Sequence, residues 1–458
     1  MKDPQEPGFL QSVICFGGVI AIVIAGLLWL EISLHSLLLI AVVWVATHAA
    51  TLGFSFQAIK TAMISGIQKG LGAIFIFFLI GVLIAAFIES GTIGGLIYYG
   101  VDLLHPTIFL PAGLVLCSFM SLATGTAWGT IGTIGVVLMG LGGALVIPLP
   151  LVAGMVVSGA SFGDKMSPVS DTTNLAAMSA DTDLYSHIHS MLYTTVPTYV
   201  ICLIIFTVIG LSYSGQTASV QELLELKQHL AIEFSIGPLT LLPLVVLFIL
   251  SIRRAPAEIS MLGSVATAVV LAVAMQDRSI AEVLNSLHSG YAADTGHERL
   301  DVLLTRGGIQ SMMWTMSLAL LALSLGGILD RAGFVRVLLS GLLKRIKRTA
   351  SLMTTTIGAG VVANMSMGEA YLSIIFGGQI FKDAYAEDNL ENHMLSRCLE
   401  EGATLTTSLI PWTTSGAFIT GVLAMSPLEF APWAFFNYIN PLLSIALAYM
   451  GFGIFRKS

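Results

Sequence analysis

An all-α polytopic membrane protein, made of two inverted-topology repeats with discontinuous helices and re-entrant hairpins, is the architecture this sequence predicts. Three observations carry that prediction. Of 458 residues, 55% are hydrophobic and 10% charged, at a mean hydropathy of +0.88, against about 25% charged in a soluble domain. Glycine and proline breakers recur at a constant spacing between the two halves. Polar residues also gather inside four otherwise apolar runs, where lipid rejects them unless they meet a cation, a partner or water.

Apolar runs long enough to cross a bilayer lie near 10–31, 34–53, 70–90, 186–213, 233–252, 256–275, 309–329 and 430–455. The first follows Lys2, Asp3 and Glu6; it is too long and unbroken for a signal peptide, and no small-residue cleavage site follows it. It is therefore expected to be the first span. Residues 54–69, FSFQAIKTAMISGIQK, are too polar to span and read as an amphipathic lead into the third. Gly-rich, interrupted runs occupy 107–142, 144–180, 348–382 and 394–424, and hold most of the polar residues.

The halves correspond by their breakers. Gly66-Ile67-Gln68 recurs as Gly308-Ile309-Gln310, 242 residues on. A shift of 243 places Gly125 on Gly368, Trp128 on Tyr371, Gly135 on Gly378, Gly159-Ala160-Ser161 on Gly402-Ala403-Thr404, and Pro168 on Pro411. Each breaker marks a place where backbone geometry must change, so fixed spacing is a stronger signal than matched leucines. An odd number of crossings per half inverts the second half relative to the first. Lys60, Lys69, Arg253, Arg254, Lys344, Arg345, Lys347, Arg348, Arg456 and Lys457 then fall on the inner side, which agrees with the positive-inside rule. The expected division is a first repeat at 1–215, an extracytoplasmic linker at 216–232 and a second repeat at 233–458, with both termini cytoplasmic.

Residues 159–174, GASFGDKMSPVSDTTN, are the most polar of the interrupted stretches. Asp164 and Asp171 lie there beside Ser170, Thr172, Thr173 and Asn174; in the partner stretch 243 residues on, Thr407 and Thr414 replace the two acids. The first interrupted run offers Thr124, Thr126 and Trp128, and its partner offers Asn364, Ser366 and Glu369, with Glu369 on the position of Thr126. Thr404, Thr406, Thr407, Thr413, Thr414 and Ser415 complete the set. Carboxylate, hydroxyl and carbonyl oxygens suit a hard cation, without the thiolate or imidazole a transition metal prefers. Sodium is the expected ion, held at Asp164 and Asp171. A buried carboxyl favours its proton when alone and its charge beside a cation, so one acid can alternate between H⁺ and Na⁺.

Plainer readings exist for each residue. Asp164 and Lys165 can be solvated loop charges, Asp171 a helix N-cap, Glu369 a structural partner of a neighbouring Asn or Ser, and Glu400-Glu401 a loop pair. His187 and His189 read as interfacial. Cys15, Cys117, Cys202 and Cys398 are far apart and read as small buried hydrophobes. No zinc-protease, P-loop or nucleophile-elbow motif occurs, so no enzyme and no cofactor are expected. The net charge of −7 is spread over short loops and gives nucleic acid nothing to bind.

The run Gly163 to Leu175, GDKMSPVSDTTNL, resembles the signature of the NhaC-type sodium/proton antiporter family. The likeness extends to Asp294-Thr295-Gly296, Leu303-Leu304, Arg306-Gly307-Gly308, Gly402-Ala403-Thr404 and Pro411-Trp412, and covers most of the chain. It implies membership of a broader ion-transporter superfamily: homodimers in a prokaryotic inner membrane, each with a scaffold and a moving domain of two hairpins, working as an elevator. The function it implies is exchange of cytoplasmic sodium for external protons. The alternative is sodium- and proton-coupled exchange of small organic anions such as malate and lactate, or of amino acids. Only Lys165, Lys382 and Arg397 lie near the breaks as candidates to hold an anion, which favours the cation.

Overall fold

The computed structural model describes residues 4–457 apart from 104, 214–219, 254, 297, 344, 345 and 347. Arg254, Lys344, Arg345 and Lys347 of the predicted inner charge, and 214–219 around the start of the predicted linker, lie outside the described residues. Within them the chain is helical, and the one β feature is an isolated bridge between Leu390 and Arg456.

In the first half the helices are α1 (Phe9–Leu28), α2 (Leu34–Thr51), α3 (Phe56–Lys69), α4 (Leu71–Glu89), α5 (Thr92–Leu103), α6 (Pro106–Thr124), α7 (Ala127–Thr130), α8 (Val136–Ala144), α9 (Leu149–Met166), α10 (Asp171–Ser179) and α11 (Leu184–Ser212). A π-turn, Ile131–Gly135, joins α7 to α8. Then come α12 (Val220–Glu233), α13 (Leu242–Ile252), α14 (Ala257–Met275), α15 (Ile280–Ser289), α16 (Glu298–Leu304), α17 (Gly308–Ser311), α18 (Met313–Arg331), α19 (Phe334–Leu343), α20 (Thr349–Met367), α21 (Ala370–Glu387) and α22 (Asn392–Leu399). A second π-turn, Glu400–Thr404, leads into α23 (Leu405–Thr407), followed by α24 (Thr414–Leu423), α25 (Pro427–Phe430) and α26 (Phe435–Tyr449). Most of the predicted linker is thus helix α12.

Among the described residues seven helices are long and apolar enough to cross a membrane, or up to nine if each bent pair is one span. The chain is an integral membrane protein. The amphipathic lead is realised as α3, bent by 46° from α4. Its Gly66 lies so close to α18 that a Cβ there would meet the Leu323 carbonyl at 2.2 Å, so α3 packs backbone to backbone rather than resting on the surface.

Helix boundaries keep the sequence spacing. α4 and α18 each have 19 residues and begin 242 residues apart. α6 and α20 each have 19 and begin 243 apart; α7 and α21, α9 and α22, α10 and α24, and α11 and α25 also begin 243 apart. α6 ends at Gly125 with φ 71° and α20 at Gly368 with φ 69°. The next residues, Thr126 and Glu369, are extended N-caps at φ −147° and −149°. Ser121 Oγ donates to the Ala160 carbonyl at 2.6 Å, and Asn364 Nδ2 donates to the Ala403 carbonyl at the same distance. Different side chains therefore make one bond between equivalent helices.

The buried apolar residues fall into two clusters. One runs through α4, α6, α8 and α9, with Phe77, Leu114 and Val156 among its members. The other gathers α1, α2, α18, α20, α21 and α22 around residues such as Leu318, Phe381 and Leu395. The ring of Trp128 lies 4.9 Å from Phe418 and 5.5 Å from Phe77, centroid to centroid, so one aromatic stack joins α7, α24 and α4.

Candidate functional site

Four helix interruptions meet around one cavity of 690 Å³. The first is Gly125-Thr126, whose left-handed glycine lets the chain turn back at once. A Cβ on Gly125 would meet Val169 Cγ2 at 2.6 Å, which puts this turn against the second interruption, Ser167–Ser170. The third is Gly368-Glu369, and its Gly368 carbonyl accepts from the Thr414 amide at 2.8 Å. That bond ties it to the fourth interruption, between α23 and α24. Trp128 Nε1 then donates to Ser415 Oγ at 3.3 Å and links the first to the fourth.

The cavity is lined by Thr124, Thr126, Trp128, Asp164, Ser170, Asp171, Thr172, Glu369, Thr404, Thr407, Thr414 and Ser415 from the predicted set. Asp164 is half-buried, and its Oδ1 accepts from Ser170 Oγ at 2.7 Å. Ser170 Oγ in turn lies 3.1 Å from Thr172 Oγ1. Asp171 is exposed to the cavity in the first turn of α10, where a negative charge is favoured by the unpaired amides. Ser170, not Asp171, occupies the N-cap.

Glu369 is buried and already engaged: it caps α21 by accepting from the Tyr371 amide at 3.2 Å, and it accepts a second bond from the Thr414 hydroxyl. Its partners are thus a backbone amide and a threonine rather than the neighbouring Asn or Ser weighed in the sequence, with cap and cavity wall combined in one side chain.

Six predicted residues do not line the cavity. Thr173 donates to the Asp164 and Lys165 carbonyls at 3.2 Å each, and Asn174 to the carbonyls of Pro168 and Ser170. Asn364 reaches the Ala403 carbonyl, Ser366 the Val362 carbonyl and Thr406 the Gly402 carbonyl. Thr413, also absent from the lining, caps α24. These groups hold the broken backbone in place, which consumes the polar atoms that made them candidates.

Three readings are corrected. Lys165 is not a solvated loop charge: it is fully buried, with Nζ 3.5 Å from Glu401 Oε1 and 2.7 Å from Asn440 Oδ1. Glu400 and Glu401 are not a loop pair but fully buried residues opening the second π-turn. His187 is not interfacial; it is buried, with Nδ1 2.7 Å from Ser396 Oγ.

None of the cations considered for an anion lines the cavity. Lys165 is committed as above, Lys382 pairs with Asp181 at the surface, and Arg397 donates to the Ser190 and Gly453 carbonyls. Lys69 is the lining cation among the described residues, and it is paired with Asp330 at 3.0 Å. A further acid, Glu258 at the start of α14, joins the wall. No group of three or more metal-ligating His, Cys, Asp or Glu occurs among the described residues.

The sequence carries no local signal for the groups that join the two halves behind this wall. Asn437 donates to Ser161 Oγ at 2.9 Å, the Leu405 carbonyl at 2.8 Å and Ser408 Oγ at 2.9 Å. Asn440 accepts from Lys165 and donates to Thr198 Oγ1. Both stand in the apolar run that reads only as a last span.

The profile of the Na⁺/H⁺ antiporter family matches residues 8–173 and 159–452. The chain is 36% identical to the Na(+)/H(+) antiporter NhaC of Alkalihalophilus pseudofirmus, over 100% of this chain and 98% of that one. It is 34% identical to the malate-2H(+)/Na(+)-lactate antiporter of Bacillus subtilis, over 98% and 96%. With the arginine/ornithine antiporter ArcD of Halobacterium salinarum it shares 32% over 99% and 95%. The GDKMSPVSDTTN run, the helix breaks it creates and these full-length likenesses agree: the chain belongs to the Na⁺/H⁺ antiporter family.

Proposed function

We propose that this protein is a secondary transporter that exchanges cytoplasmic Na⁺ for external H⁺ at the cavity where the four interruptions meet. One observation carries the reading. The wall bears the carboxylates of Asp164, Asp171, Glu258 and Glu369 among hydroxyls, while its lysine is neutralised by Asp330. Such a wall attracts a cation and repels a free anion. Asp164, hydrogen-bonded to Ser170 and joined to Thr172, is the principal ligand, with Asp171 at the approach.

Inverted repeats supply the mechanism, and the paired caps at Gly125 and Gly368 support them. The hairpins α6–α8 and α20–α21, with their tips against the broken helices, move together as an elevator past the remaining helices. The lining includes Ser251, Ala255 to Glu258 and exposed Lys69, which adjoin the predicted inner positive charge. That position supports a state open to the cytoplasm.

A second reading has its own observation: 690 Å³ is far more than a bare ion needs and falls in the range of small-molecule sites. An amino acid or a carboxylate carried together with Na⁺ would fill it. Purified protein in liposomes loaded with a pH dye separates the readings. Na⁺ gradients should drive proton movement that Asp164→Asn abolishes, with malate, lactate and arginine adding nothing. Counterflow of labelled malate or arginine that depends on Na⁺ would replace the first reading with the second.

A further inference from the structure

We propose that Glu400 is a ligand of the transported cation, forming with the hydroxyls of Thr172 and Thr404 an inner seat behind the Asp164 wall. The proposal rests on the cation-transport reading and adds to it an acid that the broken helices alone do not indicate.

Four observations meet at this residue. Glu400 is 0% exposed, yet its Oε1 accepts from Thr172 Oγ1 at 3.3 Å, and Thr172 lines the cavity. The same hydroxyl leads through Ser170 to Asp164, so the two carboxylates flank one pair of hydroxyls. The Thr404 side chain lies beside Glu400 and also lines the cavity. Apart from each other, neither Glu400 Oε2 nor Thr404 Oγ1 has a partner among the described residues.

Inside the protein one buried lysine faces two buried acids, Glu400 and Glu401. Lys165 is committed to Glu401 and Asn440, and Thr194 completes that pair by donating to Glu401 Oε1 at 2.6 Å. Arg397 is committed to two backbone carbonyls. Lys165 also acts on Glu400 across the site, but its ion-pair contact is with Glu401, so one lysine serves two acids. A buried carboxylate without a cation costs several kcal/mol, and oxygens from one acid and two threonines are the donors a hard cation takes. Neighbouring residues on a helix point about 100° apart, so Glu401 meets the buried lysine while Glu400 meets Thr172 of the cavity wall.

The test is the Na⁺ dependence of Glu400→Gln, read as half-saturation of flux in liposomes and as Na⁺ affinity of the purified protein by calorimetry. Both constants should weaken by about tenfold or more, equivalent to about 1.4 kcal/mol, with a smaller loss of maximal rate. Thr404→Val deletes one oxygen at constant shape and should weaken both constants in the same direction; it carries the test if the Gln variant is not recovered as a monodisperse protein. Either variant binding Na⁺ as tightly as wild type overturns the inner seat. A wild type that binds no Na⁺ overturns the antiport reading and the seat with it.

Discussion

Lys165 Nζ lies 3.5 Å from Glu401 Oε1, and neither side chain has any solvent exposure. The pair joins α9 to the second π-turn, residues 236 positions apart in sequence. Asp164, the preceding residue, faces the cavity. One helical step therefore separates a group that lines the cavity from one buried in an ion pair between the halves.

Breaking that pair leaves a buried charge without compensation. Lys165→Met or Glu401→Gln should each destabilise the protein by about 3 kcal/mol or more, while the double variant should recover part of the loss because neither member of the pair is left charged without the other. Thermal unfolding in detergent, followed by intrinsic fluorescence, measures this; a double variant no more stable than the worse single one would contradict it.

Asp164 and Asp171 should behave differently despite their common stretch. Asp164 is half-buried and hydrogen-bonded, whereas Asp171 is exposed. Asp164→Asn should remove Na⁺-driven proton movement, and Asp171→Asn should retain it with a Na⁺ half-saturation raised by about threefold to tenfold, the scale of a partly screened charge. Equal loss in both variants would place the ion nearer Asp171.

The two left-handed glycines should not be equivalent under substitution. Alanine at either pays about 1–2 kcal/mol for its backbone conformation. At Gly125 the new Cβ also meets Val169 Cγ2 at 2.6 Å and the Val169 carbonyl at 3.0 Å, whereas at Gly368 the nearest atom is Ala322 Cβ at 3.2 Å. Gly125→Ala should therefore lower the unfolding temperature more than Gly368→Ala, and it should slow transport more because Val169 belongs to the second interruption.

Asn437 holds three acceptors from two broken helices. Asn437→Ala should cost about 1–3 kcal/mol, since Ser161, Leu405 and Ser408 are left without this donor in a buried place. Asn437→Asp, which has the shape but no amide, should fare no better. Thermal unfolding of both variants, with Na⁺-driven flux in liposomes, checks the order.

Much of the architecture was legible because lipid makes local rules strict. Apolar length marks a span, and a helix that stops within one needs a glycine or proline and a set of polar groups to satisfy its freed backbone. Gly125, Pro168, Gly368 and Pro411 announced the breaks in that way, and their constant spacing paired them. Twelve of the predicted side chains line the cavity as a result. The ones that turned inward to backbone carbonyls, such as Ser366 and Thr173, are of the same residue types as many that did not. Composition does not report direction.

By itself, then, the sequence determined the helical class, the membrane setting, the positions of the four interruptions and the acids Asp164, Asp171 and Glu369 beside them. These follow from hydropathy and backbone breakers, which act within a few residues. Only the tertiary structure decided which polar groups are buried and with whom: Lys165 against Glu401, Asn437 across both broken helices, His187 on Ser396, and Glu400 behind the cavity wall. A buried polar residue is tolerated according to its partner, and here the partners of Lys165, Glu400 and His187 stand more than two hundred residues away in the chain.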